Sequence, residues 1–206
     1  MVLTSNYKIL PVLVTHNAEI ARNLAEALID ENLPIVEVTL RTPESWRAIE
    51  TLASIDGLTV GIGSVTKESE LDRAAELGLK FAVSAGLSSE LVEAANSLDI
   101  DYLPGVATPT EILMALRLGL TRLKWFPATA LGGIASLRSV SAPFPEVKFI
   151  PTGGINFETA RDYLREPNVA QVGGSWMFQS DWLKNRDFEA VRKSIKTSIA
   201  NLKIES

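Results

Sequence analysis

Short continuous apolar blocks alternate along this chain with longer stretches whose apolar residues recur at helical spacing. Ile9-Leu10-Pro11-Val12-Leu13-Val14 is the first block, and Ala18 to Ile29 follows it with Ile20, Leu24 and Leu28 on one helical face. That order predicts a strand and then a helix. Pro34 to Leu40 reads as the second strand, and Thr42-Pro43-Glu44 as the opening of its helix, with threonine at the N-cap and proline at the first helical position. The alternation continues with strands at Leu58 to Ile62, Lys80 to Val83 and Asp101-Tyr102-Leu103, followed by helices reaching Leu77, starting at Ser88 and starting at Thr108. Thr108-Pro109-Thr110-Glu111 supplies a capping box. Arg122 to Phe126, Val147 to Ile150 and Ala170-Gln171-Val172 complete the strands, with helices near Ile134, from Asn156 and from about Asp187.

Eight strand-helix units result, their strands starting roughly every 21 to 25 residues, a spacing suited to parallel strands joined by crossover helices. Eight such units close naturally into a ring, whereas an open doubly wound sheet usually stops at about five or six strands. The predicted fold is therefore α/β, a (β/α)8 TIM barrel forming a single compact domain over residues 1–206. The open-sheet alternative lacks a G-x-G-x-x-G turn after its first strand, where Val14-Thr15-His16-Asn17 stands instead.

Composition narrows the chemistry more than the fold. The 206 residues are 46% hydrophobic and 22% charged, as in a globular domain. With 20 Lys and Arg against 25 Asp and Glu, the net charge of -5 argues against nucleic acid as a partner. There is no cysteine and one histidine, His16, so disulfides, thiolate zinc and multi-imidazole metal sites are excluded; no metal and no cofactor is expected. The N-terminal Met-Val-Leu-Thr-Ser-Asn-Tyr-Lys has no apolar run of leader length, and no stretch is long enough to span a membrane. A cytoplasmic protein without a membrane partner is the expectation.

In a parallel barrel the chemistry gathers at the C-terminal ends of the strands, where alternate side chains point inward. Glu37, Thr39 and Arg41 share one parity of the second strand, opposite Val36, Val38 and Leu40. If the apolar set faces the helices, the inward set offers a carboxylate, a hydroxyl and a guanidinium, suited to proton transfer and to holding an anion; an edge strand with one wet face would show the same alternation. In the sixth strand Lys124 and Phe126 share a parity, opposite Leu123 and Trp125. An inward lysine must pair with a carboxylate or give up its proton, and the neutral amine is a nucleophile toward ketones. A solvated or salt-bridged lysine is the ordinary alternative. Gly153-Gly154 and Gly173-Gly174-Ser175 follow the seventh and eighth strands, where barrels often cradle a phosphate; alone, each pair is a turn signal. Ser64, after Gly61-Ile62-Gly63, is placed to hydrogen-bond a ligand. His16 reads as a loop residue, and Trp46, Trp125, Trp176 and Trp182 as packing or interface residues.

Ile35-Val36-Glu37-Val38-Thr39-Leu40-Arg41-Thr42, Gly61-Ile62-Gly63-Ser64-Val65, Leu123-Lys124-Trp125-Phe126-Pro127-Ala128, Ile150-Pro151-Thr152-Gly153-Gly154-Ile155 and Val172-Gly173-Gly174-Ser175-Trp176, in that order, resemble the 2-keto-3-deoxy-6-phosphogluconate and 2-keto-4-hydroxyglutarate aldolases. The resemblance runs from Pro11 to Trp176. It implies a metal-free class I aldolase on a (β/α)8 barrel, commonly a homotrimer. Position by position, Lys124 is similar to the Schiff-base lysine and Glu37 to the acid/base. Arg41 and Ser64 are similar to the residues that hold the pyruvyl carboxylate. Gly153, Gly154, Gly173 and Ser175 are similar to the phosphate end, with Gly174 inside the same loop. The chain departs from the pattern at Ser64, where threonine is frequent, and at Ala85 of Ser84-Ala85-Gly86, where proline is frequent. It also departs at Trp125 for phenylalanine and at Thr129 for glutamate.

The implied reaction begins with neutral Lys124 attacking the C2 ketone of a 2-keto-3-deoxy sugar acid, with loss of water giving a protonated imine. Glu37, directly or through a water, takes the C4 hydroxyl proton, the C3–C4 bond breaks, and a pyruvate enamine stays on the lysine until protonation and hydrolysis release pyruvate. The 6-phosphogluconate-derived substrate is expected, giving pyruvate and glyceraldehyde 3-phosphate. The galactonate isomer or 2-keto-4-hydroxyglutarate is the alternative with the same chemistry. Two readings differ in kind: isomerase, epimerase or decarboxylase work on a sugar phosphate, and a non-catalytic phosphosugar-binding barrel.

Overall fold

The computed structural model of the chain describes residues 7–202; residues 1–6, which include most of the N-terminal stretch read for a leader, and residues 203–206 lie outside it. Strands and helices alternate throughout. They run β1 (Ile9–Leu13), α1 (Ala21–Asp30), β2 (Ile35–Thr39), α2 (Ser45–Ala53), β3 (Thr59–Gly63), α3 (Glu68–Glu76), β4 (Phe81–Val83), α4 (Ser89–Ser97), β5 (Asp101–Leu103) and β6 (Gly105–Val106). The chain continues with α5 (Pro109–Arg117), β7 (Arg122–Trp125), α6 (Gly133–Ser141), β8 (Lys148–Pro151), α7 (Phe157–Leu164), β9 (Val172–Gly174), α8 (Ser180–Asn185) and α9 (Phe188–Asn201).

All pairings are parallel. Six strands form one sheet in the order β5-β4-β3-β2-β1-β9, and β6-β7-β8 form a second. The predicted fifth strand, Asp101 to Leu103, is β5 and pairs with β4; beyond Pro104 a further short strand that was not predicted, β6, pairs with β7. Proline has no N–H to donate, so the ladder changes partner there while its carbonyl still accepts from the Lys124 N–H at 2.9 Å. Between β8 and β9 the contact is two isolated bridges, Phe149 to Val169 and Thr152 to Gly173. The architecture is α/β with parallel strands and resembles a TIM barrel.

Strands and helices meet through one continuous apolar core. Every residue of β1 and β2 is buried, the signature of parallel strands covered on both faces. Leu24, Leu28, Ile49, Leu52, Leu71 and Ile112 bring the inner faces of α1, α2, α3 and α5 to it. Trp125 is fully buried, its ring edge-on to Phe149 at 6.2 Å between centroids. Trp46 lies under the Arg73 guanidinium at 4.3 Å, and Trp176 donates to Ser198 at 2.9 Å. Among the described residues no helix is long and apolar enough to cross a membrane.

Local details differ from the sequence reading where side chains compete with the backbone. Helix α2 begins at Ser45, not at Pro43: Thr42 spends its hydroxyl on the Thr15 carbonyl at 2.5 Å, and its N–H donates to Ser45 Oγ at 3.2 Å, so Thr42 and Pro43 form a turn. The capping box at Thr108 is present in altered form, because Glu111 accepts from the Ala107 N–H at 2.7 Å while Thr108 Oγ1 accepts from the Glu111 N–H. The eighth strand lies slightly later than predicted, at Val172–Gly174. Ala170 still bonds to Phe149 of β8, and pairing with β1 begins only when the Val172 N–H reaches the Lys8 carbonyl. The short helix α8 precedes the predicted closing helix, and Arg186 in a left-handed conformation separates the two.

Candidate active site

Glu37 lies mid-way along β2, flanked by Val12 of β1 and Gly61 of β3, and Lys124 lies on β7 between Gly105 and Ile150. They come from different sheets, yet Lys124 Nζ is 3.5 Å from Glu37 Oε1, with the two side chains 3% and 1% exposed. Both therefore point into the same interior, as the period-two alternation requires. The ammonium also faces the Phe126 ring at 5.1 Å, so Lys124 and Phe126 share one face of the strand.

This pair is not the tight, fully bonded kind that stabilises a core. Both Glu37 oxygens are buried without a hydrogen-bond partner among the described residues, and 3.5 Å is long for a charge-assisted bond. A buried carboxylate left with free lone pairs is costly. It persists here because the fold makes room for it. A Cβ on Gly63 would sit 2.1 Å from Glu37 Oε1 and 2.7 Å from its Cγ, so glycine is needed on β3 for the carboxylate to reach the lysine. Neighbouring Gly61 likewise admits the Phe81 ring. Thr39, of the same parity as Glu37, is buried but donates to the Leu13 carbonyl at 3.3 Å.

Beyond the ends of β2 and β3, Arg41 Nε donates to Ser64 Oγ at 2.8 Å. The sequence separates these residues by 23 positions; the register of β2 against β3 and the bond from Leu40 N–H to the Gly63 carbonyl bring them together. Ser64 holds a left-handed φ of +62°, a conformation that costs a non-glycine residue roughly 1 kcal/mol and is concentrated at functional sites. Arg41 is exposed, unlike Glu37 and Lys124, so its guanidinium stands at the solvent-facing end.

Gly153 and Gly154 are consecutive left-handed residues at φ +98° and +77°, at the surface after β8. The Thr152 to Gly173 bridge places their turn beside the loop after β9. The N–H groups of Gly154 and Ser175 donate to no acceptor among the described residues. Gly173 and Gly174, in contrast, are buried within β9. A Cβ on Gly173 would stand 2.2 Å from Thr152 Oγ1, and one on Gly174 would strike the Trp176 ring at 1.8 Å. Their lack of side chain admits neighbours of this chain, while Gly153, Gly154 and Ser175 form the open rim. His16 is exposed on the loop after β1.

The structure adds Gly63 and Thr152 to the residues singled out from sequence. Gly63 carried a legible signal, since Gly61 and Gly63 lie on one strand face and glycine inside a strand marks a close approach. Thr152 carried none, because its neighbour Gly173 lies in another unit. Among the described residues, no three His, Asp or Glu side chains converge on a point that could hold a metal ion.

Comparison with known proteins points the same way as the geometry. A family model described as KDPG and KHG aldolase matches residues 2–194. The chain is 42% identical over 169 residues to the 2-dehydro-3-deoxy-phosphogluconate aldolase of Zymomonas mobilis, covering 82% of this chain and 81% of that protein. It is 36% identical to the KHG/KDPG aldolase of Escherichia coli, covering 95% and 92%. The crystal structure of the KDPG aldolase of Legionella pneumophila, with pyruvate captured as a covalent carbinolamine intermediate, superposes with a TM-score of 0.91 at 37% identity over 96% of each chain.

Proposed function

The chain belongs to the KDPG and KHG aldolase family and is a class I, pyruvate-forming aldehyde-lyase, and from that premise we propose that Lys124 is its Schiff-base amine and Glu37 the group that moves protons beside it. The observation that carries this assignment is the buried contact of 3.5 Å between them, with both carboxylate oxygens free to accept a proton or bond a water. Transfer of the ammonium proton to the carboxylate leaves a neutral amine, which attacks the C2 ketone of the substrate. The carbinolamine hydroxyl leaves as water with the proton that Glu37 had taken, which gives the iminium and restores the carboxylate. Glu37 then takes the C4 hydroxyl proton, directly or through a water, as the C3–C4 bond breaks and its electron pair moves into the enamine.

Arg41, oriented by Ser64, binds the C1 carboxylate, since a guanidinium at the open end of the site matches a carboxylate in charge and shape. Gly153, Gly154, Gly173, Gly174 and Ser175 form the far end. The free N–H groups of Gly154 and Ser175 offer hydrogen bonds to a phosphate, and the two buried glycines let the loops approach one another. That end favours a phosphorylated substrate, 2-keto-3-deoxy-6-phosphogluconate, giving glyceraldehyde 3-phosphate and pyruvate. 2-Keto-4-hydroxyglutarate and 2-keto-3-deoxy-6-phosphogalactonate are the competing substrates of the same chemistry.

The strands close into a full (β/α)8 ring in this reading. The partner change at Pro104, the two bridges between β8 and β9, and the meeting of Lys124 with Glu37 across the interior all support closure. The barrel comprises residues 1–206 as one domain, works in the cytoplasm, and assembles as a homotrimer. Incubation with pyruvate and borohydride tests the assignment. A reduced pyruvyl adduct on Lys124 in the native protein, and neither adduct nor cleavage in Lys124→Ala or Lys124→Arg with an unchanged circular dichroism spectrum, is expected. Turnover near the native rate in either variant refutes it, and ligand binding without any adduct supports a non-catalytic barrel.

A further inference from the structure

Thr129 follows Lys124 by five residues and joins the lysine strand to the Gly153–Gly154 turn. Beyond the end of β7 the chain continues to pair with the segment after β8: the Ala128 N–H donates to the Thr152 carbonyl at 2.8 Å, and the Thr129 N–H to the Gly153 carbonyl at 3.0 Å. The chain then folds back, with the Gly132 N–H on the Thr129 carbonyl and the Gly133 N–H on the Ala128 carbonyl. The Thr129 side chain fills the space beside Gly154, where a Cβ would come within 2.6 Å of its Oγ1. From α7, the Tyr163 hydroxyl engages Thr129. Burial raises the Tyr163 pKa, and the hydrogen bond to Thr129 partly offsets that rise.

Two consecutive glycines at positive φ have no side chains to select their conformation, so neighbours must do so. We propose that Thr129, anchored through its hydroxyl by Tyr163, is a positioning residue that holds the Gly153–Gly154 turn with its N–H groups toward the phosphate of the aldehyde half. This rests on the phosphate end assigned above. Thr129 has no part in the bond-breaking steps, and its influence falls on one half of the substrate alone.

The test is aldol condensation, in which pyruvate and aldehyde bind as separate substrates. Thr129→Val keeps the shape and removes the hydroxyl. It is expected to raise the KM for glyceraldehyde 3-phosphate about five- to tenfold, with the KM for pyruvate, the yield of borohydride-trapped pyruvyl adduct and the rate with unphosphorylated glyceraldehyde all within twofold of native. Thr129→Ser should restore the native KM, and Tyr163→Phe should reproduce the defect. Equal losses with both aldehydes, or no change in Thr129→Val and Tyr163→Phe, overturn the inference. If the native protein itself shows no preference for the phosphorylated aldehyde, the assignment of the phosphate end fails first, and the inference with it.

Discussion

Two cations stand two residues apart on one face of β7, and they serve opposite ends of the fold. Arg122 opens the strand and pairs with Asp101 of β5 at 2.5 Å, the side chains 16% and 11% exposed. Lys124 lies deeper, and its partner Glu37 comes from another sheet at 3.5 Å. The first is a short, directional contact in which a planar guanidinium meets its partner at close range. The second leaves its carboxylate unbonded. A cleft of about 530 Å³ opens beside Arg122 at the starts of the strands, on the side away from Arg41 and Ser64. Parallel strands separate the two tasks in space: their starts can be fastened while their ends stay underbonded and available.

Three substitutions sharpen the contrast. Glu37→Gln has the largest expected effect, a fall in cleavage rate of about 10²- to 10⁴-fold, because the amide keeps the shape but takes no proton. The pyruvyl adduct should still form on Lys124, slowly, in a borohydride time course. Native cleavage rates in this variant would transfer the proton role to another group. Gly63→Ala comes next. The new methyl drives the Glu37 side chain away from Lys124, and a misplacement of about 1 Å costs roughly 10²-fold in rate. Thermal stability should fall little, since the displaced atoms belong to a flexible side chain, so kcat measured with Tm separates displacement from unfolding. The smallest catalytic effect belongs to Arg122→Met, which loses about 2 kcal/mol of unfolding free energy in urea while kcat/KM stays native. A selective loss of activity there would show the two ends to be coupled.

How far each part of the molecule could be read in advance depended on the range of the interactions behind it. Ile20, Leu24 and Leu28 marked α1 through their own spacing, and the repeated strand-helix alternation marked the architecture. Thr42 misled as an N-cap because its hydroxyl is taken by Thr15, which a local reading cannot see. The short strand β6 could not be foreseen, because Pro104 stops the ladder of β5 and it takes the neighbouring β7 to offer the next one. At the site, parity sufficed to point Lys124 and Glu37 inward. The reason Glu37 fits, Gly63, required the register of β3 against β2.

The sequence by itself singled out the candidates for the chemistry, a lysine and a carboxylate of inward parity with no thiol and one histidine, because residue type and strand period are local properties. Only the tertiary structure decided that these two meet. Lys124 and Glu37 are 87 positions apart in different sheets, and their approach depends on how those sheets face one another. The same holds for the glycines, identical as letters. Gly173 and Gly174 yield their space to Thr152 and Trp176, while Gly153 and Gly154 stay at the rim, because what a missing side chain admits is set by whatever the fold brings beside it.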